Sequence, residues 1–171
     1  YDVTGLTVST DNNLLAYGVD NVSRRKYTLY IKDLTTGEVF KENVPNTDGS
    51  YVWANDNKTL FYDVKDEETL RTYLIKKHVL GQDASADEEV YKEDDVTFNC
   101  SVYKSKSEDY IFIGSYSTLT SEVFYLDANE AGGKFQSVLP RFRDHLYSVE
   151  YYDKNFYITT NLGAQNFRLV R

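Results

Sequence analysis

Short runs of aromatic and β-branched residues alternate with polar clusters along the whole chain. In Tyr51-Val52-Trp53 and Thr59-Leu60-Phe61-Tyr62-Asp63-Val64 two such runs flank Ala54-Asn55-Asp56-Asn57-Lys58. Pleated, half-buried surfaces select these residue types, and a turn-forming cluster between two of them predicts a β-hairpin. The pattern recurs. Polar residues 9–13 precede Leu14-Leu15-Ala16-Tyr17, residues 105–109 precede Tyr110-Ile111-Phe112-Ile113, and residues 153–155 precede Phe156-Tyr157-Ile158. Aligning the copies places Leu15, Leu60, Ile111 and Tyr157 at spacings of 45, 51 and 46 residues. Propeller repeats run at about 40–50 residues per blade, and helical repeats lack this alternation.

Each repeat predicts a four-stranded meander. The first has strands at residues 6–9, 14–19, 27–32 and 39–41, the last two joined by Thr35-Thr36-Gly37-Glu38. The second has strands at 51–54, 59–64, 72–79 and 89–92, with Gly81-Gln82-Asp83 at the corresponding turn. The third has 96–103, 110–116, 121–126 and 135–139; the fourth has 147–152 and 156–160, reaches 167–170 and stops. The expected fold is all-β: a β-propeller segment of about three and a half antiparallel blades, at residues 5–41, 50–93, 96–139 and 146–171, in an incomplete ring. Open strand edges and uncovered blade faces predict self-association of the isolated chain. The chain starts at Tyr1 rather than Met, which reads as a piece of a longer protein.

Composition narrows the partners. At 171 residues, 41% hydrophobic and 15% aromatic, the chain can bury a sizeable core. A net charge of −8 and pI near 4.8 repel phosphates, so neither nucleic acid nor an anionic membrane is expected as a partner. One cysteine, Cys100, forms no internal disulfide and fits a reducing, cytoplasmic setting. Neither a charged-then-apolar leader nor an apolar run of about 18 residues is present.

Catalytic chemistry has no foothold in these residues. The histidines, His78 and His145, lie 67 residues apart without metal-ligand spacing, and no Gly-x-Ser-x-Gly or phosphate-cradling glycine loop occurs. We therefore expect no catalytic residue, cofactor or metal in this segment. The acidic runs 87–89 and 93–95 suit solubility and edge protection, and Trp53 suits a place between blades. Two loops carry cations: Arg24-Arg25-Lys26, and Arg141-Phe142-Arg143-Asp144-His145. Each is either a solvated turn or a contact with another domain, where guanidinium groups pair with carboxylates in bidentate fashion.

Particular words decide between these readings. Ser23-Arg24-Arg25-x-Tyr27, Leu34-Thr35-Thr36-Gly37, Val52-Trp53-Ala54-Asn55-Asp56, Thr120-Ser121-Glu122-Val123, Leu139-Pro140-Arg141-x-x-Asp144-His145-x-Tyr147-Ser148 and Asn166-Phe167-x-Leu169 occur in that order. Together they resemble the oligopeptidase B (protease II) group of the prolyl oligopeptidase family. The resemblance implies a seven-bladed propeller capping an α/β-hydrolase domain with a Ser-Asp-His triad, in enzymes that cleave short peptides after Arg or Lys. It makes the catalytic domain of the same parent chain the expected partner, with oligopeptide substrate reached through the parent. It makes Arg24, Arg25, Asp48, Arg141, Arg143 and His145 candidate interdomain contacts, with Asp48 as a partner for Arg25. Residues 94–97 and the Gly132-Gly133 turn depart from the family words, both in loops. The alternatives are a stand-alone propeller that binds a protein partner, and a propeller glycosidase, for which no matched carboxylate pair is found.

Overall fold

The computed structural model describes residues 1–171. Fourteen strands follow one another almost without other structure: β1 (Asp2–Val8), β2 (Leu14–Asp20), β3 (Tyr27–Asp33), β4 (Val39–Trp53), β5 (Thr59–Lys65), β6 (Thr72–Val79), β7 (Glu88–Lys92), β8 (Asn99–Lys104), β9 (Tyr110–Tyr116), β10 (Ser121–Asp127), β11 (Gln136–Leu139), β12 (Tyr147–Tyr152), β13 (Asn155–Thr160) and β14 (Arg168–Val170). A single 3₁₀ turn, Ala84–Ala86, interrupts them. All pairings are antiparallel between sequence neighbours, as a series of meanders requires, and β1 and β14 do not pair, so the ring is open.

The sheets divide differently from the sequence expectation at one place. Residues 39–41 and 51–54 read as separate strands but form one, β4, and the first two meanders become a seven-stranded sheet. Its first part pairs with β3 and its second with β5, with Thr47 opposite both Tyr27 and Val64. Left-handed backbone at Asn46 (φ 60°) and Gly49 (φ 98°) supplies the bend. A Cβ on Gly49 would stand 2.4 Å from Thr4 Cγ2, so glycine is required there for space as well. Val44 and Thr47 are buried within this otherwise polar stretch, and Thr47 Oγ1 donates to the Tyr27 carbonyl at 3.1 Å.

The core lies between blades. Leu14, Ala16, Leu29, Ile31 and Val44 of the first meander meet Tyr51, Trp53, Leu60 and Tyr62 of the second. Phe61 and Ile75, on the opposite face of the second, meet Val102, Ile111, Ile113 and Leu126 of the third. Phe112 and Val123 then meet Tyr147 and Val149 of the fourth. Successive side chains of a strand point to opposite faces, so a strand covered on both sides must be apolar continuously. Strand β5 is buried from Thr59 through Asp63, and β9 from Ile111 through Ser115. Trp53 belongs to this core and donates its indole N–H to the Thr7 carbonyl at 3.2 Å. Residues of β1, β4 and β8 line a groove of about 510 Å³.

One ionic cluster fixes the passage from the second to the third blade. Arg141 reaches Glu93 (Nη2 to Oε2, 2.6 Å) and Glu122 (Nε to Oε2, 3.0 Å), with its guanidinium 4.0 Å over the Phe98 ring. Glu93 also accepts from Ser115 Oγ, from Tyr91 Oη at 2.8 Å and from the Asp95 amide at 3.0 Å. Burial pushes the Glu93 carboxyl up, but the donors from Arg141, Ser115, Tyr91 and Asp95 outweigh it and bring it down to about 2. Arg71 completes the clamp by donating to the carbonyls of Glu93, Asp95 and Phe98, the last at 2.8 Å.

Two measurements check this packing. Leu60→Ala should lower unfolding stability by about 2–5 kcal/mol in denaturant titrations, while Leu119→Ala on the surface should stay within ~0.5 kcal/mol. Glu93→Gln should cost about 2–3 kcal/mol at pH 7, below the ~3–5 kcal/mol of a fully buried pair because Arg141 keeps Glu122 and some solvent. The sign with pH follows from a carboxyl held below its ordinary 4.5 in the folded state. The wild-type advantage is complete above that value and disappears as pH falls toward about 2.

Candidate interdomain face

Alternating strand direction sorts the connections to two ends of the blades. The β2–β3, β5–β6, β9–β10 and β13–β14 loops share one end with the bend inside β4 and with the β7–β8 and β11–β12 passages. Cross-blade contacts fit this sorting: Lys26 Nζ meets Glu67 Oε2 at 3.0 Å, and Lys65 Nζ reaches the Arg25 carbonyl at 3.4 Å. The opposite end is tied by amides and an ammonium group instead, with Lys104 Nζ 2.7 Å from Asn55 Oδ1 and Asn55 Nδ2 3.1 Å from Asn129 Oδ1. All six candidate contacts lie at the first end. So do six of the seven arginines, Arg24, Arg25, Arg71, Arg141, Arg143 and Arg168.

The Arg24 and Arg25 loop is held from beneath. Buried Asp20 accepts the amides of Val22 (2.9 Å), Arg24 (2.8 Å) and Arg25 (2.7 Å), which fixes left-handed backbone at Ser23 and Arg25. Burial raises the Asp20 carboxyl, but these amides outweigh it and keep it below its usual value. Both guanidinium groups are exposed, and neither has an ion-pair partner within the chain. The expected Asp48–Arg25 pair is not formed, because Asp48 pairs with Lys65. Lys65 lies beside Asp48 since Thr47 and Val64 are opposite each other in the sheet.

The second loop separates into used and free groups. Arg141 is committed to Glu93 and Glu122. His145 is buried, stacked between Phe142 (4.3 Å) and Tyr147 (4.9 Å), with Nε2 2.9 Å from Thr160 Oγ1. Burial lowers its affinity for a proton, so the ring is a neutral packing element. Arg143 points outward, 91% exposed, with only its neighbour Asp144 at 3.7 Å. Three of the six candidates, Arg24, Arg25 and Arg143, thus present unengaged cations, and Asp48 is half-covered by its pair with Lys65.

Sequence reasoning missed two features of this end. Arg168 is a further exposed cation at the start of β14. Each strand-connecting loop also raises an exposed apolar residue, Val22, Leu70, Leu119 and Leu162, the last joined by Phe167, with Val96 and Phe142 on the passages between blades. The four loop residues recur at 48, 49 and 43 residues, close to the blade period, which was the available signal. A groove of about 640 Å³ lies between Val22, Arg24, Lys26, Glu67 and Leu70. Exposed apolar tips are interleaved there with unpaired arginines, and arginine is a residue type enriched at protein interfaces. No group of three His, Cys, Asp or Glu side chains is placed to hold a metal ion, and no helix is long and apolar enough to cross a membrane.

Comparison with known proteins bears on the family and the fold. Residues 1–171 match the family described as prolyl oligopeptidase, N-terminal beta-propeller domain. The chain is 41% identical over 171 residues to dipeptidyl aminopeptidase BI of Pseudoxanthomonas mexicana, covering 99% of this chain and 24% of the relative. It is 38% identical to Protease 2 of Moraxella lacunata, covering 99% and 25%. The solved structure of oligopeptidase B from Leishmania major superposes with a TM-score of 0.92 at 31% identity, over 99% of this chain and 24% of that one. The chain therefore spans about a quarter of the length of the relatives it matches. With its meanders, its interblade core and this match along its whole length, the chain belongs to the prolyl oligopeptidase family of serine peptidases, as part of the N-terminal β-propeller domain.

Proposed function

We propose that this segment forms consecutive blades of a propeller that gates a serine peptidase active site, and that its arginine-bearing end faces the catalytic α/β-hydrolase domain of the same parent chain. The observation that carries the reading is the coincidence, at one end only, of unpaired guanidinium groups and regularly spaced apolar tips. Carboxylates of the facing domain would pair with Arg24, Arg25 and Arg143, and those pairs break when the domains part. A narrow cavity between such domains admits an extended peptide and excludes a packed protein, so opening must precede entry. A related structure, oligopeptidase B from Trypanosoma brucei with covalently bound antipain, is described as a closed form, which fits a gate with two positions. Cleavage of short peptides after Arg or Lys is the parent activity we assign, from the resemblance in the loop words.

Two further properties go with this reading. The buried, unpaired Cys100, its thiol pushed up to about 12 mainly by burial, suits a cytoplasmic parent and is inert to exchange. Leu6, Val39, Tyr152 and Leu169 are exposed on the first and last blades, where further blades of the parent would cover them. The isolated chain should accordingly sediment as an oligomer, and a monodisperse monomer at micromolar concentration would contradict this.

Arg25→Ala in the full-length protein tests the gate. Loss of one charged interdomain contact should raise KM for a peptide substrate about 3- to 10-fold and shift small-angle scattering toward the open form. Lys154→Ala, at the opposite end, should change neither. Unchanged kinetics and scattering for Arg25→Ala would remove the arginine end from the interface.

A further inference from the structure

The seam between the first two blades holds a buried histidine that the gate does not use. His78 on β6 is 1% exposed, and its Nδ1 lies 2.8 Å from Asp87 Oδ1. Tyr62 Oη donates to Asp87 Oδ2 at 2.9 Å. Burial and the Asp87 carboxylate hold the Tyr62 phenol well above its usual range, so it remains a donor. Asp87 accepts from Tyr62 Oη on one oxygen and faces the ring with the other, which orients the His78 ring with its Nδ1–H toward Oδ1. Nε2 is then a lone pair in a dry site, and it has no hydrogen-bond partner.

What stands opposite Nε2 is another acceptor. Glu42 Oε1 is 3.9 Å away, beyond hydrogen-bond reach, while Glu42 Oε2 accepts the Gly81 amide at 2.9 Å. Glu42 belongs to the part of β4 that pairs with β3, in the first blade, whereas Tyr62, His78 and Asp87 belong to the second. The charged groups around the ring are few. Asp87 faces it from the β6–β7 connection, Tyr62 from β5 and Glu42 from β4; Lys77, the next residue on β6, is paired with Glu88 at 2.7 Å. Lys41 and Lys76 line the adjoining groove together with Glu42. Two carboxylates thus flank one imidazole, and a proton on Nε2 turns a repulsive acceptor pair into a charge-assisted bond across the seam.

We propose that His78, set between Asp87 and Glu42, is a proton-operated latch on the seam between the first two blades, closed when both ring nitrogens carry protons. Protonation and closure are linked, so the latch adds stability on the acid side of neutrality and loses it as pH rises. It acts on the propeller itself, apart from the interdomain face, and makes the first seam looser at pH 8 than at pH 6.

Glu42→Gln in the full-length protein separates this from static packing, because the amide keeps shape and can donate to an unprotonated Nε2. The variant should melt about 2–4 °C below wild type at pH 6, the size of one charge-assisted bond, and level with it or higher at pH 8. Adding His78→Gln to Glu42→Gln should cause no further pH-dependent loss. The same difference at both pH values overturns the latch. Stabilisation that requires added zinc, is abolished by EDTA and vanishes in Glu42→Gln also overturns it, and would make the pair a metal site.

Discussion

A sheet with two apolar faces cannot stand alone, and this constraint organises the chain. Strands β5 and β9 are buried across both faces because each lies in the middle of a stack, with Leu60 and Tyr62 turned one way and Phe61 the other. Sheet must follow sheet until the stack is closed or covered. At about 25 cal/mol per Å² of apolar surface, such packing is the dominant favourable term in folding. The hydrogen bonds of the meanders fix register, but the interblade side chains fix where each sheet sits.

Because the cores lie between blades, most exposed side chains of the loops at the two ends take no part in packing. They have diverged in chemistry. One end is bound by Asn55, Asn129 and Lys104 into a belt joining neighbouring blades, while the other uses Asp20, Glu93 and Arg71 beneath the surface and leaves Arg24, Arg25, Arg143 and Arg168 free above it. Buried carboxylates hold the loop backbones, so the exposed guanidinium groups are presented from fixed positions with less entropy to lose on docking. The proposed gate uses this arrangement: rigid blades, preorganised loops and charges without partners inside the chain.

Much of the fold was legible because strand periodicity and turn composition are local. Meanders around Leu15, Leu60, Ile111 and Tyr157 followed from alternation and spacing, and the loop words pointed to the family. The continuity of β4 was hidden, since Val44 and Thr47 are single buried positions in a polar run and the bend depends on Asn46 and Gly49 backbone. Charge partners were hidden as well. Arg141 finds Glu93 from 48 residues away, and Asp48 finds Lys65 through strand pairing that no spacing rule displays. A loop arginine and a loop histidine read as exposed, yet one is half-buried over Phe98 and the other stacked between two rings.

The most direct test of the central claim is hydrogen–deuterium exchange on the full-length protein, free and with a covalent peptide inhibitor that closes the two domains. The account predicts slower exchange on closure in loops 21–26, 66–71, 117–120 and 161–167, with loops 9–13, 54–58 and 105–109 unchanged. Protection confined to the second set, or absent from both, would contradict an arginine-bearing interdomain face.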